Sequence, residues 1–178
     1  MKAKDKMNVV IVIAVLSVFS GCVPNLHSSH RKLSVSQVQS IPNISITKEE
    51  VWGFCGHSTI VHDYELKSIK GDKVVIDYST GLMWHQSGSD EHMSWLSENF
   101  FGLEYTSLWN KAEQWIKKLN KRGYAGYHDW RLPTLEEAVS LLESSKKNRD
   151  LCIDPIFSDK QRWIGTGEKE SAGAEWAV

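Results

Sequence analysis

The chain has 178 residues, 41% of them hydrophobic and 24% charged, the balance of a globular protein with one domain and a real core. A net charge of -1 supplies no basic field that would gather nucleic acid, and no basic face is interleaved with aromatics to follow a phosphate backbone. Eight tryptophans are the unusual feature, since side chains of this size either anchor a core or line a contact surface.

In "MKAKDKMNVVIVIAVLSVFSGC" Lys2, Lys4 and Lys6 precede an apolar run from Val9 to Phe19, and Ser20, Gly21 and Cys22 follow it. Basic start, apolar run and small residues come in the order of a secretory signal, and the run is too short to cross a hydrocarbon layer of about 30 Å as a helix. The ending "VFSGC" resembles the lipobox of bacterial lipoproteins, whose Cys becomes the lipid-bearing first residue. Residues 1–21 are therefore read as a lipoprotein signal peptide and Cys22 as the lipidated residue that holds the protein on a membrane of the cell envelope. Val23 after the Cys resembles lipoproteins sent to the outer membrane. In that oxidising compartment Cys55 and Cys152 either pair as a disulfide or stay as two separately buried thiols. Cys55, His57 and His62 do not reproduce a paired-ligand zinc spacing, so neither metal nor cofactor is expected.

Residues 22–48, rich in Ser, Asn, Gln and His and without sustained apolar periodicity, read as the lipidated Cys and a flexible tether. The domain is placed at residues 49–178. "DKVVIDYSTGLMWHQ" predicts a hairpin: a β-branched run Val74 to Ile76, a turn through Ser79, Thr80 and Gly81, and a second run Leu82 to Trp84. The segment that follows has no clean period and carries Trp95, Phe100, Phe101 and Tyr105. As a long loop it is a candidate ligand surface, its aromatics otherwise folding back onto the core. Leu108, Ala112, Trp115, Ile116 and Leu119 then recur at helical spacing, predicting a helix from Leu108 to Asn120 that ends at Gly123.

"HDWRLPT" is the segment that looks most like chemistry. Thr134 followed by Glu137 is a capping box opening a second helix with Leu135, Ala138, Val139 and Leu142 as its buried stripe. Pro133 has no amide hydrogen to leave unpaired and biases Leu132 towards an extended backbone, so Trp130 and Leu132 point together into the core and Arg131 points away. Arg131 reads as a structural guanidinium, stacked on Trp130 or paired with Asp129, Glu136 or Glu137. His128 beside Asp129 invites an acid–base reading, but neighbours on an extended stretch face opposite sides and no nucleophile stands nearby.

"STGLMW", "GYAGYHDWRLPTLEEAVSLLES", "IDPIF" and "QRWIGTG" with "EWAV" together resemble the bacterial Lcl C-terminal-domain family, over about Gly71 to Val178. The resemblance implies an extracytoplasmic binding or adhesion domain without established enzymatic activity. It also implies an α+β fold like those of C-type lectins and sulfatase-modifying factors, with two helices on a twisted, mainly antiparallel sheet. Members continue past the equivalent of "EWAV", so the chain is expected to be cut short at its C-terminus or completed by a partner. The function expected is a lipid-anchored envelope binding domain for a glycan or another envelope protein. The alternatives are an envelope enzyme using His128, Asp129 or Cys55, or an inactive remnant.

Overall fold

The structure is a computed structural model that describes residues 9–10, 14–16, 32–50, 53–89, 108–160, 163–170 and 175–177. In chain order these form β1 (Val9–Val10), β2 (Ala14–Leu16), β3 (Lys32–Leu33), α1 (Val35–Gln39), β4 (Ile44–Glu50), β5 (Gly53–Ser58), β6 (Tyr64–Ile69) and β7 (Asp72–Asp77). There follow β8 (Leu82–His85), α2 (Leu108–Arg122), a 3-10 turn at Tyr124–Gly126, α3 (Leu135–Ser140), β9 (Trp163–Glu170) and β10 (Glu175–Ala177). The fold is mixed α+β. One sheet is antiparallel throughout, in the order β2-β8-β7-β6. The other runs β1-β9-β10-β5-β4 with β3 also on β9, and contains both parallel and antiparallel pairs.

The predicted hairpin is present as β7 and β8, with Gly81 at φ 71° in the turn. The β6–β7 hairpin turns through Lys70 and Gly71 alone, both at positive φ (53° and 88°), as a two-residue type I′ connection requires. In register, Val75 stands beside Trp84 and Ile76 beside Met83. Because successive side chains alternate between faces, β7 and β8 feed two cores at once. On one face Val75, Leu82 and Trp84 pack with Leu135, Ala138, Val139 and Leu141 of the α3 region, with Ile153 and Phe157, and with Ile164 of β9. On the other, Val74 and Met83 meet Ala112, Trp115, Ile116 and Leu119 of α2, together with Tyr124, Trp130 and Leu132.

Two expectations are corrected. Among the described residues there are three α-helices where two are predicted, and two sheets where one is. Within the segment read as tether, residues 32–48 are described and carry regular structure. Ser34 caps α1: its hydroxyl accepts from the Gln37 amide and its own amide donates to Gln37 Oε1. Leu33, Val38 and Ile41 then enter the α3-side core. Three apolar residues around one turn and a half of helix are too few to show a period, but they suffice to close a core that the sheet leaves open. Residues Ile44–Glu50, read as tether and domain edge, form β4 against β5.

Of the apolar leader, the described residues lie as short strands, β1 beside Trp163 and Ile164 and β2 beside Leu82, Met83 and Trp84. No helix among the described residues is long and apolar enough to cross a membrane.

Val38 is 1% exposed, so Val38→Ala should cost about 2 kcal/mol, while Ser36→Ala on the exposed side should stay within about 0.5 kcal/mol. Urea denaturation of the two variants measures this, and a tether at this position would leave both unchanged.

Candidate functional site

The corner between α2 and α3 is built around the end of α2. Gly123 closes the helix with φ 69° and its amide on Leu119 O. A Cβ there would also come within 2.7 Å of His128 Cε1, so the position needs glycine for both backbone and space. Asn120 holds the returning chain at both backbone groups of Trp130: its Nδ2 donates to Trp130 O and its Oδ1 accepts from Trp130 N, each at 2.8 Å. The indole Nε1 donates to Tyr124 O at 3.0 Å, so this buried tryptophan spends its one polar atom inside the corner. Tyr124 meets Trp130 edge-on and stacks on His85, with ring centroids 4.4 Å apart. Its hydroxyl donates to Lys73 O on β7.

Asp72 anchors the 3-10 turn. One carboxylate oxygen accepts from the Ala125 amide and the other from Arg122, both at 2.8 Å. This compensates a turn in which Gly123, Ala125 and Gly126 all take positive φ, a conformation that costs a residue with a Cβ.

Trp130 and Leu132 are both buried, at 2% and 4% exposure, and Arg131 turns the other way into a two-pronged pair with Glu137. Nη1 lies 2.8 Å from Oε2 and Nη2 2.6 Å from Oε1. Glu137, 1% exposed, also accepts from the Thr134 amide at 2.8 Å, and the Thr134 hydroxyl accepts from the Glu137 amide. The capping box is thus formed, and its carboxylate is shared with the guanidinium. Strand β9 seals the same corner: Gly167 N donates to Pro133 O at 2.7 Å, and Glu168 Oε2 accepts from the Leu135 amide at 2.7 Å. The stripe on α3 runs through Leu135, Ala138, Val139 and Leu141. Leu141 and Leu142 both lie just past the helix, and Leu142, predicted as the fourth member of the stripe, bridges to Ile153 and packs half-buried against the same core.

The remaining candidates are placed differently. His128 is exposed and its Nδ1 bonds Asn120 O at 2.6 Å, where it caps the last turn of α2. Asp129 is exposed. Cys22 and the aromatics Trp95, Phe100, Phe101 and Tyr105 lie outside the described residues; the chain leaves at Ser89 and is described again from Leu108. Cys55 lies on β5, opposite Lys48 of β4. Cys152 is a half-buried free thiol, and the Cys55 side chain lies outside what is described. Among the described residues no group of three His, Cys, Asp or Glu side chains is placed to hold a metal ion.

One polar centre was not foreseen. His62, from the connection before β6, bonds Asp77 at the end of β7 and the Ser140 carbonyl at the end of α3. "DYSTG" carries half of the signal, as an Asp whose carboxylate caps its own turn through the Ser79 amide. Nothing local marks His62 as its partner.

The described polar groups thus converge on backbone, fixing strand ends and helix starts, and define a two-core α+β domain held at one corner by buried ion pairing. The chain belongs to the Lcl C-terminal domain family, which it matches over residues 73–178, more than half of its length. No curated protein and no solved structure matches it.

Replacing the Glu137 side chain leaves the Thr134 amide without its acceptor and the half-buried Arg131 with only the Leu132 carbonyl, so Glu137→Ala should cost about 3 kcal/mol. Thr134→Ala removes one cap bond and should cost about 1 kcal/mol. Thermal denaturation checks both, and a double-mutant cycle should show Arg131 and Glu137 strongly coupled.

Proposed function

We propose that the protein is a lipid-anchored binding domain of the bacterial cell envelope, with a glycan or another envelope protein as its partner. The observation that carries this reading is the coupling, in one chain, of a lipobox-like leader ending at Cys22 to a domain of the Lcl C-terminal family. A lipidated Cys22 tethers the domain outside the cytoplasm, on the outer membrane, through the linker that follows it. The contact surface is the aromatic segment with Trp95, Phe100, Phe101 and Tyr105, because aromatic faces stack on sugar rings and fill protein pockets alike. The reading has no catalytic step, and the use made of His128 agrees with that, since its Nδ1 is committed to the Asn120 carbonyl.

Two measurements test the halves separately. Intact mass and membrane fractionation should show a diacylglycerol-sized increase and membrane retention, both lost in Cys22→Ser. Calorimetric titration of the domain against soluble envelope glycans and purified envelope proteins should find a partner whose affinity falls at least tenfold in Trp95→Ala or Phe100→Ala, with the melting temperature unchanged. A melting temperature that collapses in those variants would instead make the two aromatics core residues and remove the proposed surface.

A further inference from the structure

His62 lies in the connection between β5 and β6, ahead of the region that matches the family, and its ring is held between two acceptors. Nδ1 is 2.7 Å from Asp77 Oδ2, and Nε2 is 2.6 Å from the Ser140 carbonyl oxygen. A neutral imidazole has one N–H and one lone pair, so it can satisfy only one of these contacts and must press its lone pair against the other oxygen. The doubly protonated ring satisfies both. The side chain is 7% exposed and lies flat on Tyr64, with centroids 4.8 Å apart and planes 8° from parallel, which leaves little room to rotate away from either acceptor.

Asp77 is oriented independently of the histidine. Its Oδ2 accepts from the Thr80 hydroxyl, and its Oδ1 accepts from the Ser79 and Asp63 amides. These donors fix the orientation of the carboxylate in a position where it is 0% exposed. The titratable groups around the ring are otherwise Asp63 beside it in the connection, Tyr64 on β6, and Glu143 just after α3, itself paired with Lys147. Asp154 stands near the Tyr64 hydroxyl. The field at His62 is therefore negative from β7 and from the end of α3.

We infer that His62 is a buried imidazolium latch that fastens the segment preceding the family domain to β7 and to the end of α3, and that loss of one ring proton opens it. Three further contacts define what the latch holds. Ser58 N donates to Leu142 O, Tyr78 N to Asp63 O, and Thr59 N to Asn43 O, so the connection bridges the β4–β5 hairpin, β7 and α3. Opening it removes the side-chain tie from this connection to Asp77 and the end of α3, leaving the Ser58–Leu142 backbone bond and the Arg131–Glu137 corner in place.

Burial by itself disfavours the charge, but the hydrogen bond and charge of Asp77, the Ser140 carbonyl and Glu143 outweigh it and hold His62 above its ordinary value of 6.5. A folded-state value above the unfolded one means that the latch contributes its full stability below about pH 6.5, and loses it as pH rises through the folded value.

The test is a pair of measurements on the full chain. The ring proton of His62, assigned by its loss in His62→Gln, is followed by NMR from pH 5 to 9, and melting curves of both proteins are recorded over the same range. The expected result is a His62 midpoint above 6.5, and a melting-temperature gap between the two proteins that is largest near pH 6 and at least halved by pH 8.5. Asp77→Asn should move the midpoint down. If His62→Gln fails to fold, the wild-type midpoint and its shift in Asp77→Asn decide. A midpoint at or below 6.5, or a gap that does not change with pH, would overturn the latch.

Discussion

Strands β7 and β8 are apolar on both faces, and everything else in the domain is arranged to cover them. Val74, Val75, Leu82, Met83 and Trp84 are all nearly or fully buried, although in alternation they point to opposite sides. A four-stranded antiparallel sheet commonly leaves one face to water; at β7 and β8 this one leaves neither. Each face needs its own cover, and the chain supplies α2 and the Trp130 corner for one, and α3, the Ile153–Phe157 stretch and the α1 segment for the other. At roughly 25 cal/mol per Å² of apolar surface, leaving either face open would remove more stabilisation than a small domain can spare.

With the sheet in the middle, the polar problem moves to the ends of the covering elements. Helix α3 has six residues, too short to be stable alone, and its start is held by Thr134, Glu137 and Glu168, all buried. Its far end is held by His62 through Ser140 O. Such buried charges are strongly destabilising to break and weakly stabilising to have; what they supply here is placement, because a short helix with both ends fixed has one position over the sheet. The outer strand β6 is treated differently. Its exposed face carries Glu65 and Lys67, joined through the Tyr78 hydroxyl, and charged side chains on an edge strand discourage pairing with another chain.

What could be read in advance follows from how local each signal is. The hairpin around Gly81, helix α2 and its Gly123 stop, the Thr134–Glu137 box and the opposed directions of Trp130 and Arg131 are all specified within a few residues, and all are present. The Ser34–Gln37 box of α1 is written in the same local code, but a run of polar neighbours masked it, and the burial of Val38 depends on a core assembled mainly from residues a hundred positions later. Strands β5 and β6 are poor in β-branched alternation, and the Lys70–Gly71 turn lacks the Asn or Asp that usually announces a type I′ hairpin. His62 and Glu168 were invisible for a simpler reason: each acquires its role only from a partner that the fold brings close.

The two cores differ in how far along the chain their members lie apart. The α2-side core draws on residues from Val74 to Leu132, a single contiguous stretch, whereas the α3-side core joins Leu33 to Ile164 and so closes nearly the whole described chain into a loop. Loop-closure entropy grows with that span, and contacts of long reach are made late and lost early. The α2-side core can therefore close from one stretch of chain, but the other face of β7 and β8 stays bare until residues from both ends of the described chain join it. The β7–β8 hairpin belongs to both cores, so the short-range and the long-range halves of the molecule are closed on the same pair of strands.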